Sequence, residues 1–584
     1  MKRKVLVLGH DSRSFLSVVR SLGRAGIQVD VAWHQPDSAA VRSRYIASAH
    51  DIPPFRMDDD LWKTRMIELV TREKFDLVIP CHDSCLVPLQ QHRADLEPNG
   101  RFYLISDAAF AVFFDKFRTS ELAQALGIAV PREMRVNNLE DLERAMNRFE
   151  YPVVLKPRGS FNPGNPASRH EVRKVYGKEE LRQAFHALAG AEPLALQENV
   201  LGRGVGVELL MRSGEVLLAF QHVRLHEPPR GGGASYRMST PLTPELLNAS
   251  VRLLNALDYT GVAMVEFKVD PKTGRWALME VNARFWGSLP LAVAAGADFP
   301  LALFQMLVEG RTEFKNNYRV GVCCRHWESD AEWLLANLRA DGTDPTLTTR
   351  PLSGLITETV KNLILLRERS DTLTLDDPKP AWHELSKLVR RALSGARRKL
   401  GSAVIHSRPS RRWVQGRLYR QLRSARRILF VCKGNVCRGP FAEAVARERL
   451  CGIQVASAGY LPVASRQSPE HAYAAAAAAG FDLSKHRSQI LTQELVYGAD
   501  VIFVFDQENL EHVIGTYPSM RDRVFLLGML CPSGSLFIND PWGLEPETFG
   551  ECYRHIAKAV ACLAEKMPMS EARPVAARQV SQRF

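Results

Sequence analysis

Short apolar runs alternate with amphipathic stretches through the first hundred positions. KVLVLG (4–9) predicts a buried strand, SFLSVVRSLGRAG (14–26) a helix, and IQVDVAW (27–33) a second strand. DLVIP (76–80) and RFYLIS (101–106) predict two further strands, with a helix-like stretch after the first. Strands alternating with helices imply a parallel sheet in an open, Rossmann-like α/β domain. The turn after the first strand reads GHDSR and lacks the G-x-G-x-x-G spacing, so no dinucleotide site is expected.

From about 111 to 318 the pattern changes to paired strands. VELLMRSGEVLLAF (207–220) breaks at Ser-Gly, and VAMVEFKVDPKTGRWALMEVNA (262–283) breaks at Asp-Pro-Lys-Thr-Gly. Both are antiparallel hairpin signals. The apolar window Leu289–Val308 holds Asp298, Gly296 and prolines, which predicts a buried helix-turn-helix and not a clean membrane span of roughly 20 residues. Residues 319–385 read as a mixed appendage. RILFVC (427–432) starts a new strand and a new domain, and AYAAAAAAGF (472–481) predicts a helix.

Composition adds the scale. A chain of 584 residues exceeds what one core of about 250–300 residues supports. With 46% hydrophobic and 24% charged residues it is globular. Ten cysteines without CxxC spacing fit neither a disulfide scaffold nor a zinc site, so the thiols are expected to be reduced and the protein cytoplasmic. The net charge of +13 is local: Lys387 to Arg427 holds 14 basic residues and no acidic one, which leaves −1 for everything else. A nucleic-acid partner is therefore not expected for either flanking region. Leu388, Ala392, Ala396 and Leu400 fall at helical spacing within that stretch. It reads as a solvated tether, or as a peripheral contact with anionic lipid.

The candidate chemistry is densest after Arg427. In VCKGNVCRGPF a buried strand enters a loop of Cys432, five residues and Arg438, and a helix is expected from about Pro440. Loop N–H groups and a helix N-terminus make an anion cradle. Arg438 supplies a planar fork for two phosphate oxygens. The same positive field is expected to lower the Cys432 thiol pKa and make it a nucleophile. The segment resembles the low-molecular-weight protein tyrosine phosphatases, whose pattern is V-C-x-G-N-x-C-R-S-P. SAGY (457–460), KHRSQIL (485–491), DVIFVFDQEN (500–509) and NDPWG (539–543) extend the resemblance. It implies Cys432 as nucleophile, Arg438 as transition-state clamp and Asp540 as general acid and base, with no metal or other cofactor. It implies Gly434 and Asn435 as loop residues braced by Ser457 and His486, Cys437 as a second thiol able to pair reversibly with the first, and Trp542 as a wall for the phenol ring. Gly439 stands where the family has Ser, which implies a less depressed thiol and a slower enzyme.

The amino-terminal half carries scattered pieces. FFDKF (113–117) places Lys116 at a helix start, YPVVLKP (151–157) places Lys156 on an apolar strand, and LALQENVLG (194–202) is a strand leading to a hinge. Glu280 and Asn282 share one face of a strand, with Glu266 on the strand before it. Carboxylates plus an amide oxygen suit Mg²⁺ among phosphates. In order and spacing these pieces resemble the ATP-grasp ligases of the carboxylate–amine and carbamoyl-phosphate-synthase-like branch. The resemblance implies ATP with Mg²⁺ or Mn²⁺. Lys116 and Lys156 would meet phosphate, Glu198 and the Val200 backbone adenine, and Glu208 ribose. Glu266, Glu280 and Asn282 would hold metal, and Arg284 transferred phosphate or substrate. His222 and Arg224 are candidates for substrate contact. The lid loop RGSFNPGNPAS (158–168) lacks the family's glycine cluster.

The expected fold class is therefore α/β, with an ATP-grasp module, its Rossmann-like pre-domain, and a separate doubly wound parallel-sheet phosphatase domain. The expected divisions are a pre-domain at 1–110, an ATP-grasp domain at 111–318, its appendage at 319–386, a basic linker at 387–426, the phosphatase domain at 427–568 and a tail at 569–584. The expected protein is bifunctional, hydrolysing phosphotyrosine on a partner such as a tyrosine kinase and joining a small carboxylate to an amine through an acylphosphate. The fusion implies a role in surface-polysaccharide assembly. The competing reading makes the carboxy-terminal domain a noncatalytic phosphate sensor that regulates the ATP-grasp module.

Overall fold

The computed structural model describes residues 3–567 apart from 36, 58, 160, 163–164, 170–171, 189–192, 228–232, 340–350, 365–367, 391–407 and 532–534. The chain divides into two compact units, Met1–Arg390 and Arg391–Phe584.

The first unit opens with a parallel sheet whose strands lie in the order Ile46–Ala49, Gln28–Ala32, Lys4–Leu8, Leu77–Pro80. Its apolar strands are buried, as helices on both faces of a parallel sheet require. The expected strand at 101–106 is a single parallel bridge from Phe102 to Val78, held by Val78 and Tyr103 backbone bonds, after which Ser106 caps a helix.

Two antiparallel sheets follow. A four-stranded one runs Glu133–Val136, Leu194–Glu198, Val153–Pro157, Arg173–Val175. A seven-stranded one is built on Trp276–Asn282, Gly261–Val269, Arg203–Arg212, Glu215–His226 and Tyr236–Thr240. Both expected hairpins are there, with turns at Ser213-Gly214 and Asp270–Gly274. The appendage is no separate layer, because Cys323–Arg325 and Glu368–Ser370 extend that same sheet. Leu289–Ala295 and Phe299–Glu309 form the expected bent helix pair, at 85°. Their apolar faces pack under the pre-domain in one core. No single described helix is long and apolar enough to cross a membrane.

The second unit is a parallel sheet in the order Gln454–Gly459, Arg427–Cys432, Val501–Val504, Val524–Leu526, with helices on both faces. The basic segment needs correction here. Arg408–Leu422 is a helix whose Leu418 and Leu422 are fully buried in this unit's core. Arg417 pairs with Asp522 at 2.6 Å and Gln421 donates to the Asp522 carbonyl, so this part is docked and is not a solvated tether. The remaining helix-spaced positions Ala392, Ala396 and Leu400, and the tail at 569–584, lie outside the described residues.

Candidate active site

Cys432 ends the central strand of the second unit. The chain crosses to Gln454–Gly459 on one side and later to Val501–Val504 on the other, so Cys432 stands at the sheet's switch point, where ligand crevices form. The loop after it turns back through Asn435 at φ +52 and enters the helix Arg438–Arg449, two residues earlier than expected. The Asn435 backbone N–H donates to Cys432 Sγ at 3.2 Å, and the Gly439 N–H also donates to it. The expected braces are in place. Asn435 Nδ2 donates to Ser457 Oγ at 2.8 Å, His486 Nε2 donates to the Asn435 carbonyl at 2.8 Å, and Gln489 N donates to Asn435 Oδ1. Arg466 donates to the Gly434 carbonyl at 2.8 Å, a contact no local motif announced.

Arg438 is buried beside Cys432. It donates to the Ile538 carbonyl at 3.0 Å, to Asp540 at 2.6 Å and to Asp506, and its guanidinium lies over Phe505. Asp506 was missed by sequence reasoning. It caps the helix Gln507–Thr516 at the end of a neighbouring strand, a position only the sheet order reveals. Trp542, exposed on the Asp540 loop, is free to flank a ring. Cys437 is buried, and burial pushes its thiol up.

The expected low Cys432 pKa is not found. Burial pushes the thiol above its usual value, against the pull of Arg438 and the two N–H donors, and Asp540 adds to the rise. The cradle's cation is shared with the Asp506 and Asp540 carboxylates, so its field on the thiol is reduced. Gly439 belongs to this picture. A Cβ there would lie 3.0 Å from Asn435 Nδ2 and 3.2 Å from Cys432 Sγ, so the loop is closed tightly over the missing side chain.

Gly459 has a firmer role. A Cβ there would sit 2.8 Å from both Asn435 N and the Gly434 carbonyl carbon, which are cradle backbone. Gly459→Ala is therefore expected to displace the phosphate loop. It should lower aryl phosphatase kcat/KM about tenfold or more at a stability cost of only ~1–3 kcal/mol. Kinetics and thermal unfolding on one preparation check both; unchanged kcat/KM would refute the contact argument.

In the first unit, Asp115 caps the helix Lys116–Ala125 and also binds Arg158, while Lys116 N donates to the Arg158 carbonyl. This ties the Lys116 helix to the end of the Lys156 strand. One pocket is lined by Lys116, Glu280, Asn282, Arg284 and Asp83. Glu266 lies across the hairpin from Glu280, and Asn282 Nδ2 donates to Glu280 Oε1 at 2.8 Å. Burial and the neighbouring Glu280 raise Glu266 to about 7, although Arg224 opposes the shift and is paired with it. Two carboxylates crowded in a buried place, with an adjoining amide oxygen, fit a divalent cation whose remaining ligands come from nucleotide phosphates. Among the described residues no three His, Cys, Asp or Glu form a complete metal cage.

The other expected residues are held by protein partners. Lys156 Nζ is 3.1 Å from Glu133, Glu198 binds Arg132 through its N–H and guanidinium, and Arg284 forks onto Asp83 at 2.5 and 2.8 Å. Val200 lies in the connection from Leu194–Glu198 to Arg203–Arg212. Glu208 is a correction. It is fully buried beside His222 and accepts from Ser288, which makes it a core carboxylate closed to a ribose. His222 is buried with it, while Arg224 faces Glu266. Most side chains of the lid loop lie outside the described residues, but Arg158 at its base is fixed by Asp115.

Residues 427–572 match the model of the low molecular weight phosphotyrosine protein phosphatases, and residues 191–343 match that described as ATP-grasp in the biosynthetic pathway with Ter operon. A probable low molecular weight protein-tyrosine-phosphatase of Ralstonia nicotianae is 35% identical over 133 residues, which is 23% of this chain and 90% of the relative. The carbamoyl phosphate synthase large chain of Thermotoga neapolitana is 25% identical over 244 residues, 38% of this chain but only 22% of the relative. The biotin carboxylase domain of a Hydrogenobacter thermophilus 2-oxoglutarate carboxylase aligns with a TM-score of 0.45 at 18% identity, covering 55% of this chain and 73% of that one.

Proposed function

Residues 427–572 make this chain a member of the low molecular weight phosphotyrosine protein phosphatase family, and we propose from that premise that Cys432, Arg438 and Asp540 together dephosphorylate protein phosphotyrosine. The observation that carries the reading is the convergence of Arg438 on Asp540 at 2.6 Å while two loop N–H groups close on Cys432 Sγ. An arriving phosphate dianion replaces Asp540 on the guanidinium fork. The Cys432 thiolate attacks phosphorus, the P–O bond to the ring breaks, and protonated Asp540 gives its proton to the departing phenol oxygen. Asp540, now a carboxylate, takes a proton from water, whose oxygen displaces sulfur and releases phosphate. Arg438 holds the equatorial oxygens in both steps.

Asp540→Ala is expected to separate leaving groups. With phosphotyrosine peptide, whose phenol needs a proton, kcat should fall about 10²–10³-fold. With p-nitrophenyl phosphate, whose leaving group needs little help, the fall should be much smaller. Equal losses on both substrates would remove Asp540 from the acid role.

Residues 191–343 of the first unit match an ATP-grasp model, and we propose that the unit works as an ATP-grasp ligase module. Its proposed reaction activates a small carboxylate as an acylphosphate and passes the acyl group to an amine. Lys116 and Lys156 would neutralise ATP phosphates, and Glu198 and the Val200 backbone would bound the adenine. Glu266, Glu280 and Asn282 would hold Mg²⁺ or Mn²⁺, which polarises the phosphoryl oxygens. Arg284, released from Asp83, would orient the transferred phosphate. The fusion supports a role in surface-polysaccharide assembly, with a tyrosine kinase as the phosphatase substrate, and the sparse cysteine usage supports a cytoplasmic location. A phosphorylated kinase of that system left unchanged by the purified protein would count against this role.

A further inference from the structure

The helix over 379–390 is turned inside out. Its central polar residues face the fold: Glu384 is buried, accepts from Thr372 at 2.6 Å and lies 3.3 Å from His326. His383 meets the Asp37 carbonyl, and Lys387 pairs with Asp37. Its outward stripe is apolar, with Trp382, Leu385 and Val389 at helical spacing and 65%, 48% and 47% exposed. Leu373 and Leu375, just before the helix, continue the exposed apolar surface, Leu375 at 99%. A water-facing helix reverses this pattern, so the stripe is built to be covered.

We propose that this helix docks on an anionic lipid surface, Trp382, Leu385 and Val389 entering the headgroup–acyl boundary with basic side chains around them. Charge selects the occupant. Lys379 and Arg390 are exposed, and the helix's only acidic residue is the buried Glu384. The chain then runs into Arg391, Arg397, Arg398 and Lys399 with no acidic residue before Arg427. Aromatic and aliphatic side chains beside cations are the composition of helices that lie in the membrane interface. A second copy would bring like charges together. Nucleic acid would use the cations but leave Leu385 and Val389 uncovered. Within the basic region itself, Leu418 and Leu422 of Arg408–Leu422 are already buried in the phosphatase core.

The test uses the full chain with vesicles of phosphatidylcholine alone or with roughly 30% phosphatidylglycerol. Co-sedimentation with the anionic vesicles only, weakened by salt, is expected. Trp382→Glu/Leu385→Glu should lower vesicle affinity about tenfold or more, with unfolding temperature and aryl phosphatase activity unchanged. Lys379→Gln/Arg390→Gln should weaken the anionic preference in a soluble, folded protein. No binding to anionic vesicles overturns the proposal. So does binding that survives the double glutamate variant and is lost only when Arg391, Arg397, Arg398 and Lys399 are neutralised. A dimer that Trp382→Glu/Leu385→Glu dissolves would assign the stripe to a second copy instead.

Discussion

Cys432→Ser is expected to abolish hydrolysis of p-nitrophenyl phosphate and phosphotyrosine peptide, with a fall in kcat on the order of 10³–10⁵-fold. The substitution changes one atom at the bottom of a cradle that stays intact. Asn435 and Gly439 still present their N–H groups, and Arg438 still meets Asp540 and Asp506. Phosphate binding should therefore survive, while a serine hydroxyl, far harder to ionise than a thiol, does not attack. Calorimetry with inorganic phosphate and steady-state kinetics on the same preparation separate binding from chemistry. Wild type and variant that bind phosphate equally and are equally inert would make the domain a sensor. Equal activity would move the nucleophile elsewhere. Because burial pushes the thiol up, thiol-directed alkylation of Cys432 should also be slower at neutral pH than an electropositive cradle alone suggests.

What was legible in the sequence follows contact distance along the chain. Cys432 to Arg438 is one strand-to-helix turn, so its chemistry could be read from contiguous residues. Glu266, Glu280 and Asn282 were nearly as visible, because a single hairpin brings them together. The groups that occupy these residues were not visible. Asp506 on Arg438, Asp83 on Arg284 and Glu133 on Lys156 arrive from distant elements, and their sequence neighbourhoods look like ordinary helix starts and strands; Asp540 was named from its own loop, but not its ion pair with Arg438. The Cys432 thiol was expected low because its positive cradle is local, whereas the burial that pushes it up is set by the whole fold. Glu208 misled for the opposite reason: an acid on a strand looks like a ligand until the fold buries it under Ser288. The basic segment misled by composition. Its many arginines mask Leu418, Leu422 and Ala425, which anchor the helix Arg408–Leu422 and the turn after it to the second unit.

The second large effect is expected at Glu280. Glu280→Ala should lower ADP release from MgATP about 10³-fold in the presence of a productive carboxylate and amine, and leave phosphatase kcat unchanged. Glu280 and Glu266 crowd negative charge into a buried part of the hairpin, and Glu280 helps push Glu266 up to about 7. Arg224 offsets Glu266, so the remaining cost is that of Glu280 set beside it, which a bound metal ion would relieve. Removing Glu280 therefore should not unfold the unit; it should raise the unfolding temperature of the cation-free protein slightly while weakening the rise that MgATP gives the wild type. Glu280→Gln, which keeps the shape and the bond from Asn282, should lose turnover nearly as severely. A chelator should act on the wild type in the same selective way, stopping ADP release and sparing aryl phosphate hydrolysis. Three outcomes are informative. MgATP binding lost with Glu280 supports the assignment. Binding and turnover both retained would remove Glu280 from the metal set. Binding without turnover by the wild type, with every carboxylate and amine tried, would leave an ATP-responsive regulatory module whose crowded carboxylates serve nucleotide binding alone.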